Sequence, residues 1–234
     1  MIYKAKQLYG KKLGARDGDI GRVKDIYFDD THWAIRYVVA DTGSWLSGRQ
    51  VLLSPRAFER LEEDEGALLI SLTRKQIEDS PSIETHRPVS RQYEAEYYNY
   101  YGWPVYWVGD GFGGLGGFSG AISVPAKDGE RHHGHNQRDD VHLRSTRAVT
   151  GYHIQTAGGL VGRVHDFAID DQTWSISEVV VETGHWFAGR EILLSPRSIG
   201  GISYEQSTVF VNLTKEDIQR TADDTLAKAS VEDR

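Results

Sequence analysis

The sequence predicts an all-β fold: two small antiparallel β-barrels with short helices, joined by an irregular connector. Three observations predict it. The chain repeats itself at constant spacing, apolar residues inside each repeat recur at strand period, and turn residues punctuate both repeats at short intervals.

The repeat comes first because everything else depends on it. Gly21 to Arg56 reads GRVKDIYFDDTHWAIRYVVADTGSWLSGRQVLLSPR, and Gly162 to Arg197 reads GRVHDFAIDDQTWSISEVVVETGHWFAGREILLSPR, with 20 identities in 36 positions at a constant shift of 141. The shift holds outside this block. Leu8, Gly10 and Leu13 fall on Val149, Gly151 and Ile154, and Leu72-Thr73-Arg74 fall on Leu213-Thr214-Lys215. The expected domains are residues 1–80, a connector over 81–148, and residues 149–234.

Each element then follows in order. Ile20, Ile26 and Phe28 share one parity, as do Val161, Phe167 and Ile169, so Ile20 to Asp29 and its copy read as half-buried strands. Asp29-Asp30-Thr31-His32 is a turn. Trp33, Ile35, Val38 and Val39 change parity midway, which predicts a bulge or a strand buried on both faces. Thr42-Gly43 breaks the chain, Arg49 to Ser54 is the next strand, and Pro55 ends it. Asp64-Glu65-Gly66 turns into a strand over Ala67 to Leu72. Thr73 and Thr214 read as N-caps of short terminal helices, because a threonine hydroxyl accepts from a free first-turn N–H. So many short strands in so few residues are most simply closed as one barrel per copy.

Composition excludes several function classes. There is no cysteine among the 234 residues, which removes disulfides, thiolate metal sites and cysteine nucleophiles. Lys+Arg against Asp+Glu stand at 13 and 13 over residues 1–80, 7 and 8 over 81–148, and 7 and 13 over 149–234. Binding to nucleic acid rests on neutralising phosphates, so no nucleic-acid partner is expected. No apolar run reaches the roughly 20 residues of a membrane helix and no signal peptide follows Met1, so a cytoplasmic location without membrane insertion is expected.

The connector carries two kinds of sequence. Ser90 to Tyr101 places Tyr93, Tyr97, Tyr100 and Tyr101 on one face of a helix that Gly102-Trp103-Pro104 stops. The preferred reading is that this stripe packs on a barrel, the alternative being an exposed partner-binding surface. Beyond Trp107, Gly109 to Gly120 is glycine-rich and Lys127 to Asp140 is polar, which predicts a loop.

Gly109-Asp110-Gly111-Phe112-Gly113-Gly114 fits G-x-G-x-x-G, but no βαβ unit surrounds it, so no dinucleotide or other cofactor is expected. His132, His133 and His135 lie close enough to hold a metal, although a solvated loop is the preferred reading and no metal is assigned. Asp29-Asp30 and Asp170-Asp171 sit at turns and read as turn caps rather than as paired catalytic carboxylates or calcium ligands. Arg49, Arg56 and Asp25 recur as Arg190, Arg197 and Asp166, read as ion pairs or turn contacts, with anion binding as the alternative. No nucleophile or base recurs beside them, so no catalytic residues are assigned and the protein is not expected to be an enzyme. The loops around Trp45 and Trp186 place a large aromatic and an apolar residue in a turn. Each Trp plugs its own barrel or lies between barrels.

At this point the residues resemble a known family. G-x-[IV]-G-x-V-x-D, D-D-x-x-W, V-V-x-x-T-G-x-W and a strand ending L-L-S-P, over Gly18 to Pro55 and Gly159 to Pro196, are similar to the PRC-barrel domains, named for the cytoplasmic part of the photosynthetic reaction centre H subunit. Similar barrels form the second domain of a bacterial ribosome maturation factor, and uncharacterised bacterial proteins carry two such barrels. The resemblance implies a six-stranded PRC-like barrel and no catalytic residues. The chain departs from the H subunit in lacking its membrane helix and from the ribosome factor in lacking its other domain. The expected function is a non-catalytic binding or scaffolding role with a protein partner or self-association; the alternative is a ribosome-associated or RNA-processing factor. Candidate interaction residues are Trp45, Trp186, Tyr93, Tyr97, Tyr101, Trp103 and Trp107.

Overall fold

A computed structural model of the chain describes residues 1–59, 67–81, 97–103, 142–184 and 189–220. It divides into two compact units, Met1–His86 with His142–Arg234, and Arg87–Val141. The larger unit carries both repeats. Its first half runs β1 (Ile2–Lys4), α1 (Ala5–Leu8), β2 (Lys12–Ala15), β3 (Gly18–Asp29), β4 (Ile35–Asp41), β5 (Gln50–Leu53), β6 (Ala67–Leu69) and α2 (Arg74–Glu78). In the smaller unit the structure describes one short helix, α3 (residues 97–101). The second half runs β7 (Leu143–Ser145), α4 (Thr146–Val149), β8 (His153–Thr156), β9 (Gly159–Asp170), β10 (Ser175–Thr183), β11 (Glu191–Leu194), β12 (Ile199–Ser203) and β13 (Thr208–Val211). Helix α5 (residues 215–220) follows. The fold is mostly β.

The strands assemble into two sheets, ordered β5-β4-β3-β2-β6 and β11-β10-β9-β8-β13-β12. Among the described residues neither closes into a barrel, which departs from the expectation of one closed cylinder per copy. Nor are the sheets purely antiparallel: β2 pairs with β6, and β8 with β13, in parallel. The Leu-Leu-Ser-Pro-Arg segment causes this. Ser54 accepts from Arg56 N–H, and Ser195 from Arg197 N–H, each opening a single 3-10 turn in place of a hairpin. The chain therefore bends without reversing, and the last strand of the repeat arrives beside the first in the same direction.

The larger departure from expectation is an exchange of strands. β1, which precedes the first repeat, pairs with β9 of the second, matching Ile2 to Asp170 and Lys4 to Ala168. β7, which precedes the second repeat, pairs with β3 of the first, matching Leu143 to Asp29 and Ser145 to Tyr27. Under the 141-residue shift these two registers are the same register. Leu143 to Ala148, expected within the connector, thus form a strand and most of a helix on the first repeat's sheet. The core is shared as well, with the rings of Phe28 and Phe167 5.5 Å apart and both buried.

Local chemistry explains the elements. β4 is buried from Ile35 to Ala40, and its pairing with β3 shifts register twice, so the parity change in the sequence reflects both burial on two faces and bulges. Trp33, expected to open this strand, instead adopts φ 57 in the turn, as Trp174 does at φ 50. Gly21 is required by close approach: a Cβ there would lie 2.0 Å from the Asp41 carbonyl oxygen, and one at Gly162 would lie 2.2 Å from that of Glu182. Thr73 accepts from Gln76 N–H to start α2, and Thr214 accepts from Asp217 N–H to start α5, as the sequence predicts.

Candidate functional site

The recurring carboxylates lie along the seam between the repeats. Asp25 accepts from Ser145 Oγ at 2.6 Å and from Arg147 N–H at 3.3 Å, so it holds the entry to α4. Asp166 does the same for α1 through Lys6 N–H at 3.2 Å. Both were expected to serve ion pairs or turns within one barrel; they tie each repeat to the segment before the other. The Asp-Asp pairs divide their labour. Asp29 accepts from the N–H groups of Thr31 and His32, and Asp170 from that of Gln172, which is turn capping. The second member of each pair faces the exchanged strand. Asp30 N–H donates to His142 O and Asp171 N–H to Met1 O, again equivalent positions.

Charge at the seam is largely matched. Asp29 is buried beside Arg36, whose Nη1 lies 2.9 Å from Asp29 Oδ2. Burial raises the Asp29 carboxyl, but the two turn N–H groups and Arg36 outweigh it and hold it below the usual carboxylate range. Asp30 meets His142 Nδ1 at 2.9 Å and also pairs with Arg144 Nε. The Arg144 guanidinium in turn lies 5.0 Å over the Tyr204 ring.

Beside this seam opens a cleft of about 780 Å³. Its walls come from distant stretches of chain: the Asp30–Trp33 turn, Arg144 of the exchanged strand with His142 just before it, the start of β10, and residues of the run from Ser195 to Ile202. The volume falls within the range of ligand sites. Arg197 is exposed at the cleft and forms no ion pair among the described residues. Sequence reasoning singled out Arg197 because it recurs with Arg56. It missed His142 and Arg144, whose counterparts are Met1 and Tyr3, since nothing recurs there to mark them.

Of the residues expected to bind partners, Trp45 does not line this cleft. Trp45 is half-buried in its own repeat, with the Arg74 guanidinium 4.7 Å over its ring. Trp186, Tyr93 and Trp107 lie outside the described residues, as do the glycine-rich stretch and His132, His133 and His135. In the smaller unit Tyr97 and Tyr98 are buried and Tyr100 is exposed, so the buried face includes Tyr98 rather than Tyr100. Tyr101 stacks on Trp103 at 4.7 Å, and Gly102, at φ 67, ends the helix. Arg49 donates to the carbonyls of Glu78 and Ser80 and so closes the end of α2. Among the described residues no group of three or more His, Asp or Glu is placed to hold a metal, and no helix is long and apolar enough to cross a membrane.

No curated protein matches the chain. The family model of the PRC-barrel domain matches residues 2–77, a span that includes Asp25, Asp29-Asp30 and the Leu-Leu-Ser-Pro segment, and this part of the chain is a PRC-barrel domain.

Proposed function

We propose that the protein is a non-catalytic binding or scaffolding module in which the second repeat is a diverged copy of the PRC-barrel domain, with another protein as its partner. A PRC-barrel domain at residues 2–77 supports a binding or scaffold role in general. The observation that carries the reading is the use made of the recurring polar residues. Asp25, Asp30, Asp166 and Asp171 accept from or donate to the opposite repeat's entry segment. Groups so engaged hold two sheets as one body, which is what a platform for a partner requires.

A tagged full-length chain, used to capture proteins from its native cell with quantitative mass spectrometry, tests this. The expected result is one stoichiometric partner enriched over a tag-only control and lost when the seam is unfolded by Asp25→Ala combined with Asp166→Ala. Turnover of a substrate that tracks the folded protein would overturn the non-catalytic reading.

A further inference from the structure

β12 ends its sheet. It pairs with β13 on one side and is the last strand in the order. Four consecutive residues of this strand, Ile199 to Ile202, line the cleft. The register of β12 against β13 shifts between Ile199 and Gly201, and Gly200 and Gly201 carry no side chain, so the cleft reaches the backbone of this strand. An edge presents N–H and C=O groups that an added strand can pair with.

Two further features prepare this edge. A Cβ at Gly201 would meet nothing within 4 Å, and its φ is not left-handed, so neither packing nor backbone demands a glycine there. The missing side chain leaves room beside the strand. At the equivalent place in the first repeat the ring of Phe58 packs on Trp174, 4.9 Å away, whereas the second repeat has the smaller Ile199 at the cleft near Trp33. The charges facing the cleft are those of Arg144, Arg197, Asp30, His32 and His142. Asp30 pairs with Arg144, which leaves Arg197 as the cation at the cleft with no ion pair among the described residues. The chain as a whole is net negative, at -7. The cleft thus carries one unmatched cation, Arg197, beside the edge of β12.

We infer that this cleft binds an acidic peptide segment in extended form, added as a strand to β12 with its carboxylates towards Arg197. The inference rests on the protein-binding reading above and names the site and the chemistry of the partner. Backbone pairing supplies affinity that tolerates sequence, and Arg197 selects acidic side chains.

The test uses the full-length chain and a fluorescein-labelled octapeptide of alternating Glu and Val, read by anisotropy. Saturable binding is expected, at least about tenfold tighter than that of the Lys and Val counterpart. Arg197→Glu is expected to weaken it at least about tenfold, and Gly201→Leu, which fills open space, to abolish it while the melting temperature holds. N-methylation of alternate peptide bonds along one edge of the probe is also expected to abolish it. Absence of saturable binding, equal binding of the basic peptide, or indifference to both Gly201→Leu and N-methylation would overturn the inference. A protein partner still captured by the Gly201→Leu chain would end this site assignment and leave the binding-module reading standing.

Discussion

Ala34 and Ser175, equivalent residues 141 positions apart, bridge to each other across the seam. The flanking hydrogen bonds are reciprocal: Ile35 N–H donates to Trp174 O and Ile176 N–H to Trp33 O, both at 2.7 Å. A residue that pairs with its own copy marks a local twofold axis. The exchanged strands on either side obey the same axis, so the two repeats form one self-complementary body within a single chain.

The exchange is expected to survive a cut in the chain. With a protease site inserted between Lys127 and Asp128, the cleaved halves are expected to co-elute in gel filtration and to part only in denaturant. Two separated peaks under native conditions would mean that β1 and β7 do not carry the association.

The tie through Asp25 is expected to be cooperative. Asp25→Ala removes the acceptor of Ser145 Oγ and Arg147 N–H and is expected to cost about 2 kcal/mol in urea unfolding. Paired with Ser145→Ala, the double variant is expected to show a coupling of about 1 kcal/mol. Simple additivity would count against a direct bond across the seam.

Glycines at close approach and glycine at the cleft are expected to respond oppositely to alanine. Gly21→Ala drives a methyl into the Asp41 carbonyl and is expected to cost roughly 3 kcal/mol or more. Gly201→Ala meets open space and is expected to be neutral or stabilising by up to about 1 kcal/mol. Thermal unfolding of the two variants separates these outcomes.

Asp29 makes the seam sensitive to acid. Its carboxyl is held below the ordinary 3.8, so the stabilisation is present above that value and is lost as pH falls through the lower folded-state value. Urea midpoints taken between about pH 5 and about pH 2 are expected to fall less steeply in Asp29→Asn than in the parent chain.

Tyr9 gives the opposite sign in alkali. Burial pushes its phenol up to about 12, against the lowering effect of its hydrogen bond with Thr146. A raised folded-state value favours the protonated form. The contribution is therefore present below the ordinary 10.0 and lost as pH rises towards about 12. Ultraviolet titration of Tyr9→Phe is expected to lose one late-ionising tyrosine, and its stability is expected to decline less over this interval.

What the sequence by itself determined was local. Strand periodicity in Ile20 to Asp29, the caps at Thr73 and Thr214, and the glycine stop at Gly102 each rest on chemistry within a few residues, so each can be read along the chain. The repeat was legible for the same reason, by comparing like segments. Tertiary structure alone decided which sheet each short strand joins. Because the repeats are alike, β3 and β9 offer nearly the same backbone edge, and three residues such as Ile2–Lys4 or Leu143–Ser145 carry no local preference between them. The cleft likewise exists only where Asp30, Arg144 and Arg197 converge, because the exchange of β7 carries His142 and Arg144 onto the opposite repeat.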